Sequence, residues 1–179
     1  CGLSHLPSEL GECTWIETLI LSNEWWDSSF GKMKSPNHGK PNRIASIKGL
    51  EELKLLKTLV VSQYLSNIDG KWEIHDLSPL SGLFNLQNLN CSNTQVGNLS
   101  PLSKLLHLQE LNCSETRVTD LSPIQGSKEN LTLLWCTSLK VSNWEIVSLF
   151  SKLEKFGCGN SNFTDCSPLS VLLNLKTIN

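Results

Sequence analysis

From Leu77 the apolar positions fall at Leu77, Leu80, Leu83, Leu86 and Leu89, three residues apart, then at Cys91, two residues on, and at Val96. A spacing held at three does not fit a continuous α-helix, whose buried stripe mixes steps of three and four. The step of two from Leu89 to Cys91 belongs to a strand, in which alternate residues share a face. Each such stretch therefore predicts one short strand with Leu89 and Cys91 inward, joined to a tight return segment. The pattern then restarts after 22 residues: LSPLSGLFNLQNLNCSNTQVGN from Leu77 is followed by LSPLSKLLHLQELNCSETRVTD from Leu99. One unit alone has an apolar edge with nothing to close over it. Stacked units close each other, so the pattern predicts a solenoid.

The same frame extends in both directions. Downstream, Leu134 and Cys136, then Phe156 and Cys158, take the two inward places, and Ile178 opens a further strand; upstream, Leu59 and Val61 take them, preceded by Leu19 and Leu21. The strand-to-strand steps are 40, 30, 22, 23, 22 and 22 residues, so the first two units carry insertions of 18 and 8 residues over the 22-residue norm. One domain over 1–179 with about seven repeats is expected, with insertions at 24–43 and 64–73. Cys1, Gly2 and Leu3 read as residues that follow a strand, and Asn179 stops inside one, so both ends are expected to be cut within repeats.

Ser78, Ser100, Ser122 and Ser167 each precede a proline, which places a capping hydroxyl ahead of a residue suited to the first helical position. Short helical or 3₁₀ turns are expected there, on the convex side. Asp76, Asp120 and Asp165 sit two residues before three of those serines and read as turn caps. Trp144 and Phe150 replace repeat leucines and read as core.

The pattern L-x-x-L-x-C-x-x-T-x-V, from Leu86 to Val96 and again from Leu108 to Val118, resembles the leucine-rich repeat, L-x-x-L-x-L-x-x-N-x-L. Cys stands for the third Leu, and Thr94 and Thr116 stand for the signature Asn, from where either hydroxyl could cap backbone amides. The D-L-S-P-L type return segment resembles that of bacterial 22-residue, internalin-like repeats. The opening CGLSHLPSELGECTWIETLILSNEWW resembles repeats of Roco-type GTPases and related multidomain signalling or defence proteins. The expected fold class is α/β: a right-handed solenoid, as parallel crossovers dictate, with a parallel sheet on the concave face and short helical, 3₁₀ or irregular convex segments.

Strand residues alternating with the core positions face the concave side. The central column runs Ile20, Val60, Asn90, Asn112, Trp135, Gly157; a flanking column runs Ser22, Ser62, Ser92, Ser114, Thr137, Gly159; the other runs Thr18, Thr58, Asn88, Glu110, Leu133, Lys155. The small polar flanking column predicts a solvated, closely packed face. Trp135, joined by Leu133 and bordered by Gly157 and Gly159, interrupts the polar surface. Either Trp135 is a binding hot spot, the residue type enriched at such places, or it shields the Gly157 backbone. Candidate contacts for a partner are Trp135, Leu133, Asn90, Asn112, Glu110, Glu115 and Lys155. The insertions add Trp25, Trp26, Phe30 and Trp72 beside Lys32, Lys34, Lys40 and Arg43. They read as an aromatic and basic rim or as an edge cover for the solenoid core, with Trp25 and Trp26 docked on the repeat edge and Ser28 to Asn42 of mobile composition.

Charge and chemistry narrow the reading. Lys+Arg 15 against Asp+Glu 17 give a formal net charge of -2, which supplies no basic excess for phosphates, so nucleic acid is not an expected partner. No apolar run reaches the roughly 20 residues that a membrane span needs. Of seven Cys, Cys91, Cys113, Cys136 and Cys158 share one inward position, and Cys13 and Cys166 fall at other apolar positions; a buried, reduced ladder is expected rather than disulfides or metal. The four His are scattered, and no H-E-x-x-H, G-x-x-x-x-G-K-[ST], G-x-S-x-G or C-x-x-C motif is present. No metal, no cofactor and no enzymatic activity are expected. The function expected is recognition of a protein, or of another part of the same chain, through the concave face and the insertion rim, in a cytoplasmic bacterial protein. The alternatives are a spacer or regulatory domain for a Roco-type GTPase or other effector, and a thiol hydrolase.

Overall fold

The computed structural model describes residues 3–22, 24–27, 32–34, 42, 44–63 and 74–179, with 25, 26 and 33 described through their backbone alone. Among the described residues nine strands occur in chain order: β1 Thr18–Ile20, β2 Trp25–Asp27, β3 Lys32–Lys34, β4 Thr58–Val60, β5 Asn88–Asn90, β6 Glu110–Asn112, β7 Leu133–Trp135, β8 Lys155–Gly157 and β9 Thr177–Ile178. Seven form one open parallel sheet in the order β1-β4-β5-β6-β7-β8-β9, each strand beside the next unit's strand. Register is strict, with Leu59, Leu89, Leu111, Leu134 and Phe156 as successive partners. All five are buried. The predicted stack of inward residues is therefore observed, and the chain folds as a solenoid.

The spacing of three has a direct structural cause. Leu80 N–H donates to the Leu77 carbonyl, Leu83 to Leu80 and Leu86 to Leu83, at 2.9 to 3.0 Å. Bonds from i to i+3 bring every third side chain onto one face. Leu77, Leu80, Leu83 and Leu86 consequently all reach the core. The convex side carries 3₁₀ turns at Ser8–Glu12, Ser78–Leu80, Ser100–Leu102, Ser122–Ser127, Trp144–Leu149 and Ser167–Leu169, and no α-helix among the described residues.

One capping expectation is corrected. The serine hydroxyls do not cap the 3₁₀ turns; each serine is the first residue of its turn. The residue two positions earlier does the capping, because Asp76, Asn98, Asp120 and Asp165 each accept the Ser78, Ser100, Ser122 or Ser167 N–H through Oδ1 at 2.8 Å. Hydrogen bonds from the serine hydroxyl and amide hold Asp76 and Asp165 below the usual carboxylate range, and those from the Ser122 amide and hydroxyl do the same for Asp120. After the strands, the Thr94 and Thr116 hydroxyls donate to the Cys91 and Cys113 carbonyls at 2.6 and 2.7 Å, closing a tight turn, and Thr116 Oγ1 also caps an amide as expected, accepting the Val118 N–H at 3.4 Å.

A second ladder escaped the sequence reading. Asn85, Asn130 and Asn174 each donate from Nδ2 to a carbonyl of the preceding unit, that of Lys54, Leu106 or Ser151, at 2.8 to 2.9 Å. Its signal is an Asn directly before the last leucine of the return segment, as in L-F-N-L and L-L-N-L.

Within the first insertion, β2 and β3 pair antiparallel, Trp26 opposite Met33. The Lys34 ammonium forms an ion pair with Asp27. The stretch from Ser28 to Asn42, whose composition predicted mobility, thus contributes β3 to a two-stranded ribbon with β2. Phe30 and Trp72 lie outside the described residues, and so does the whole 64–73 insertion.

Candidate functional site

The concave columns do not form one uniform surface. Ser22, Ser62 and Ser92 are 3%, 1% and 5% exposed, so the flanking column is buried there rather than solvated. Ser22 and Ser62 meet through their hydroxyls at 3.1 Å. Val60 and Asn90 are buried as well. From β6 onward the column opens: Asn112, Ser114, Trp135 and Thr137 are all half-buried.

Trp135 stands at that change. Its six-membered ring lies on Gly157 so closely that a Cβ at Gly157 would fall 1.8 Å from Cε3 and 2.4 Å from Cζ3. Only glycine fits there, for reasons of space. Because the ring leans toward β8, the side facing β6 stays open. A cleft of about 270 Å³ results, lined by Asn112, Ser114, Glu115, Trp135 and Thr137, with Ser92, Asn93 and Asn179 at its margins. The indole Nε1 is buried without a hydrogen-bond partner among the described residues. An orphaned donor of this kind costs on the order of 1–3 kcal/mol.

The cleft floor is rigid. Asn112 Oδ1 accepts the Ser114 N–H at 3.1 Å, and Ser114 Oγ accepts the Thr137 N–H at 3.1 Å. Beyond the strands the backbone ladder continues, with Asn93 N–H on the Ser114 carbonyl and Glu115 N–H on that of Thr137. Glu115 has φ +54°, and its repeat equivalents Asn93, Ser138 and Asn160 share that left-handed conformation. The preference of Asn for this region explains two of the four. Glu has no such local reason to stand there.

Of the predicted contacts, Trp135, Asn112 and Glu115 come together at the cleft. Leu133, expected beside Trp135 on the open face, is 4% exposed and fills space between strands instead. Asn90 is 9% exposed, its Oδ1 engaged by the Ser92 amide and hydroxyl. Glu110 and Lys155 are half-buried in the other column, and each already has an interaction partner. Trp25 and Trp26 lie on β2, outside the sheet that carries the cleft. Asn93 was missed as a cleft residue; the signal was that the inter-strand ladder outruns the strands by two residues.

The cysteine ladder is partly corrected. Cys91, Cys113 and Cys136 are buried free thiols, but Cys158 is half-buried and Cys166 exposed, because the last units have fewer neighbours over them. Burial pushes the Cys91 thiol well up; the hydrogen bond with Cys136 and then burial do so for Cys113. Cys113 and Cys136 Sγ stand 3.8 Å apart. The raised Cys91 and Cys113 thiols stay protonated and are poor nucleophiles. Among the described residues no group of three or more His, Cys, Asp and Glu could hold a metal ion, and no helix is long and apolar enough to cross a membrane.

Residues 84–126 match the family model of Leucine Rich repeats (2 copies). Comparison with curated proteins gives no match. Among solved structures, an internalin (inlF) from Listeria monocytogenes superposes with a TM-score of 0.70 at 17% identity, over 98% of this chain and 51% of that one. Internalin C2 from the same organism gives 0.72 at 23% identity, over 99% of this chain and 76% of its own. A plant peptide hormone receptor, RGFR1, in complex with RGF2, gives 0.62 at 16% identity, over 99% of this chain and 30% of the receptor. The chain thus spans about half of the first relative. In its fold, and in the two units that the family model matches, this chain is a leucine-rich-repeat solenoid.

Proposed function

We propose that the chain is a recognition module that binds a protein partner through the concave face, at the cleft beside Trp135. The observation that carries this reading is the Trp135 and Gly157 pair: a large aromatic held over a glycine and bordering an open cleft on the concave face. Half-buried aromatics in rigid surroundings lose little entropy on binding and dominate interface energetics. The fold is shared with a receptor whose structure holds a peptide hormone, which supports the class of function without naming a partner here.

The test is selection of peptides from a random displayed library against the intact chain. Binding of the selected peptides should weaken by about 2 kcal/mol or more in Trp135→Ala, the scale of a hot-spot aromatic, and should persist in Lys48→Ala, an exposed position away from the cleft. Asn112→Ala gives a second variant that leaves the Trp135 ring in place. Unchanged binding in both cleft variants, with their folding confirmed by thermal melts, overturns the proposal.

A further inference from the structure

The cleft carries a chemical signature for its occupant, and the inference drawn from it rests on the concave-face reading. Among the described residues Glu115 is the one acidic side chain lining it, and no Lys, Arg or His lines it. Two other glutamates on the strand side of this solenoid are paired, Glu17 with Lys57 and Glu154 with Lys176. Glu115 is exposed and forms no ion pair or side-chain hydrogen bond among the described residues. It also occupies a left-handed backbone position that suits Asn better, so the carboxylate is kept there against local preference. Strain of this sort draws attention to the residue; the cleft and its charge carry the argument.

Beside that carboxylate stand the indole of Trp135, the aromatic ring that attracts cations best, and the oxygens of Ser114, Asn112 and Thr137. A volume of about 270 Å³ lies below the roughly 300–1,000 Å³ typical of sites for whole small molecules. It suits one side chain. We propose that the cleft receives an arginine side chain presented by a protein partner, with the guanidinium against the Glu115 carboxylate and its stem along Trp135. Arginine fits better than lysine because its planar fork offers five donors to a site rich in acceptors and stacks on an aromatic face.

The test uses the intact ¹⁵N-labelled chain and three blocked peptides, acetyl-Gly-Arg-Gly-amide, acetyl-Gly-Lys-Gly-amide and acetyl-Gly-Gln-Gly-amide. The indole resonance of Trp135 is identified by its loss in Trp135→Phe. The arginine peptide should shift that resonance and the Glu115 and Thr137 amides saturably, with affinity at least fivefold above the glutamine peptide and above lysine. Glu115→Gln should weaken the arginine peptide at least fivefold without lowering the melting temperature. Equal response to the glutamine peptide, survival of the arginine response in Glu115→Gln, or no saturable shift overturns the proposal. Library-selected peptides separate this inference from the reading beneath it. Arginine-rich peptides sensitive to Glu115→Gln support both; peptides without arginine that still depend on Trp135 overturn the arginine assignment alone; peptides indifferent to both variants overturn both.

Discussion

The units from Leu77 and from Leu99 are near copies, yet they meet the cleft differently, the first through Ser92 and Asn93 and the second through Asn112, Ser114 and Glu115. Asn90 and Asn112 hold equivalent places and make the same bond, each accepting a serine N–H at 3.1 Å. Asn90 is nevertheless buried while Asn112 is half-buried. Their neighbours one strand further on differ: Asn90 is in register with Asn112, whereas Asn112 is in register with Trp135, whose ring lies over Gly157. In a solenoid, a side chain's environment is set by the residue about 22 positions ahead as much as by its own unit.

The largest expected effect comes from removing the space that makes this asymmetry. Gly157→Ala places a Cβ inside the Trp135 ring, and overpacking of that kind costs roughly 1–3 kcal/mol. The paired variant Gly157→Ala with Trp135→Ala should recover most of that loss in denaturant unfolding, since the clash needs both partners. Additive losses would show that the ring is free to move aside. Trp135→Phe gives a sharper contrast: it removes the orphaned indole N–H, keeps a ring over Gly157 and should leave stability unchanged or raised while partner binding falls.

Next in size is the cysteine ladder, where inner and outer units again differ. Cys113→Ser puts a hydroxyl in a fully buried site and should cost roughly 1–3 kcal/mol. Cys158→Ser, at a half-buried site, should cost clearly less. In native protein a thiol reagent should label Cys166 fast, Cys158 more slowly, and Cys91, Cys113 and Cys136 only on unfolding. Fast labelling of Cys113 would sink the buried-ladder account.

Much of this architecture was legible because a period of three and a step of two map directly onto i to i+3 turns and strand alternation. The inward residues Leu89, Leu111, Leu134 and Phe156 followed from that alone. The closed N-terminal half of the concave face did not follow. A column such as Ser22, Ser62, Ser92 reads as polar and hence solvated, but side-chain burial there depends on packing between units that no single unit encodes. Leu133 misled for the same reason. The site was half legible: Trp135 above Gly157 could be read as a pair, whereas the direction in which the ring leans, which decides that Asn112 and Glu115 border the cleft, required three dimensions.

A smaller effect tests Glu115 against its counterpart. Glu115→Asn should stabilise by up to about 1 kcal/mol, because Asn tolerates positive φ better. Asn93→Glu should destabilise by a similar amount at the equivalent left-handed position of the preceding unit. If both exchanges are neutral in denaturant melts, the left-handed position exerts no preference, and the placement of Glu115 loses its significance.

The smallest expected effect is acid sensitivity, and the same two units frame it. The unit from Leu77 is capped by Asp76 and that from Leu99 by Asn98, with identical geometry. Hydrogen bonds from Ser78, Ser122 and Ser167 lower the folded-state pKa of Asp76, Asp120 and Asp165 below the ordinary value of 3.8. A depressed carboxylate contributes stability that is fully present above its unfolded pKa and is lost as pH falls through the folded one. The loss should therefore begin near pH 3.8 and continue below it, while a neutral Asn cap loses nothing there. Solvent screening at these exposed sites keeps the contribution modest. Replacing all three aspartates by Asn should flatten the fall in melting temperature between pH 5.5 and pH 3 relative to the parent chain, with little change at neutral pH because Asn98 already shows that the amide caps equally well. An unchanged acid limb would mean that other carboxylates govern it and that the aspartate caps are interchangeable with asparagine at every pH.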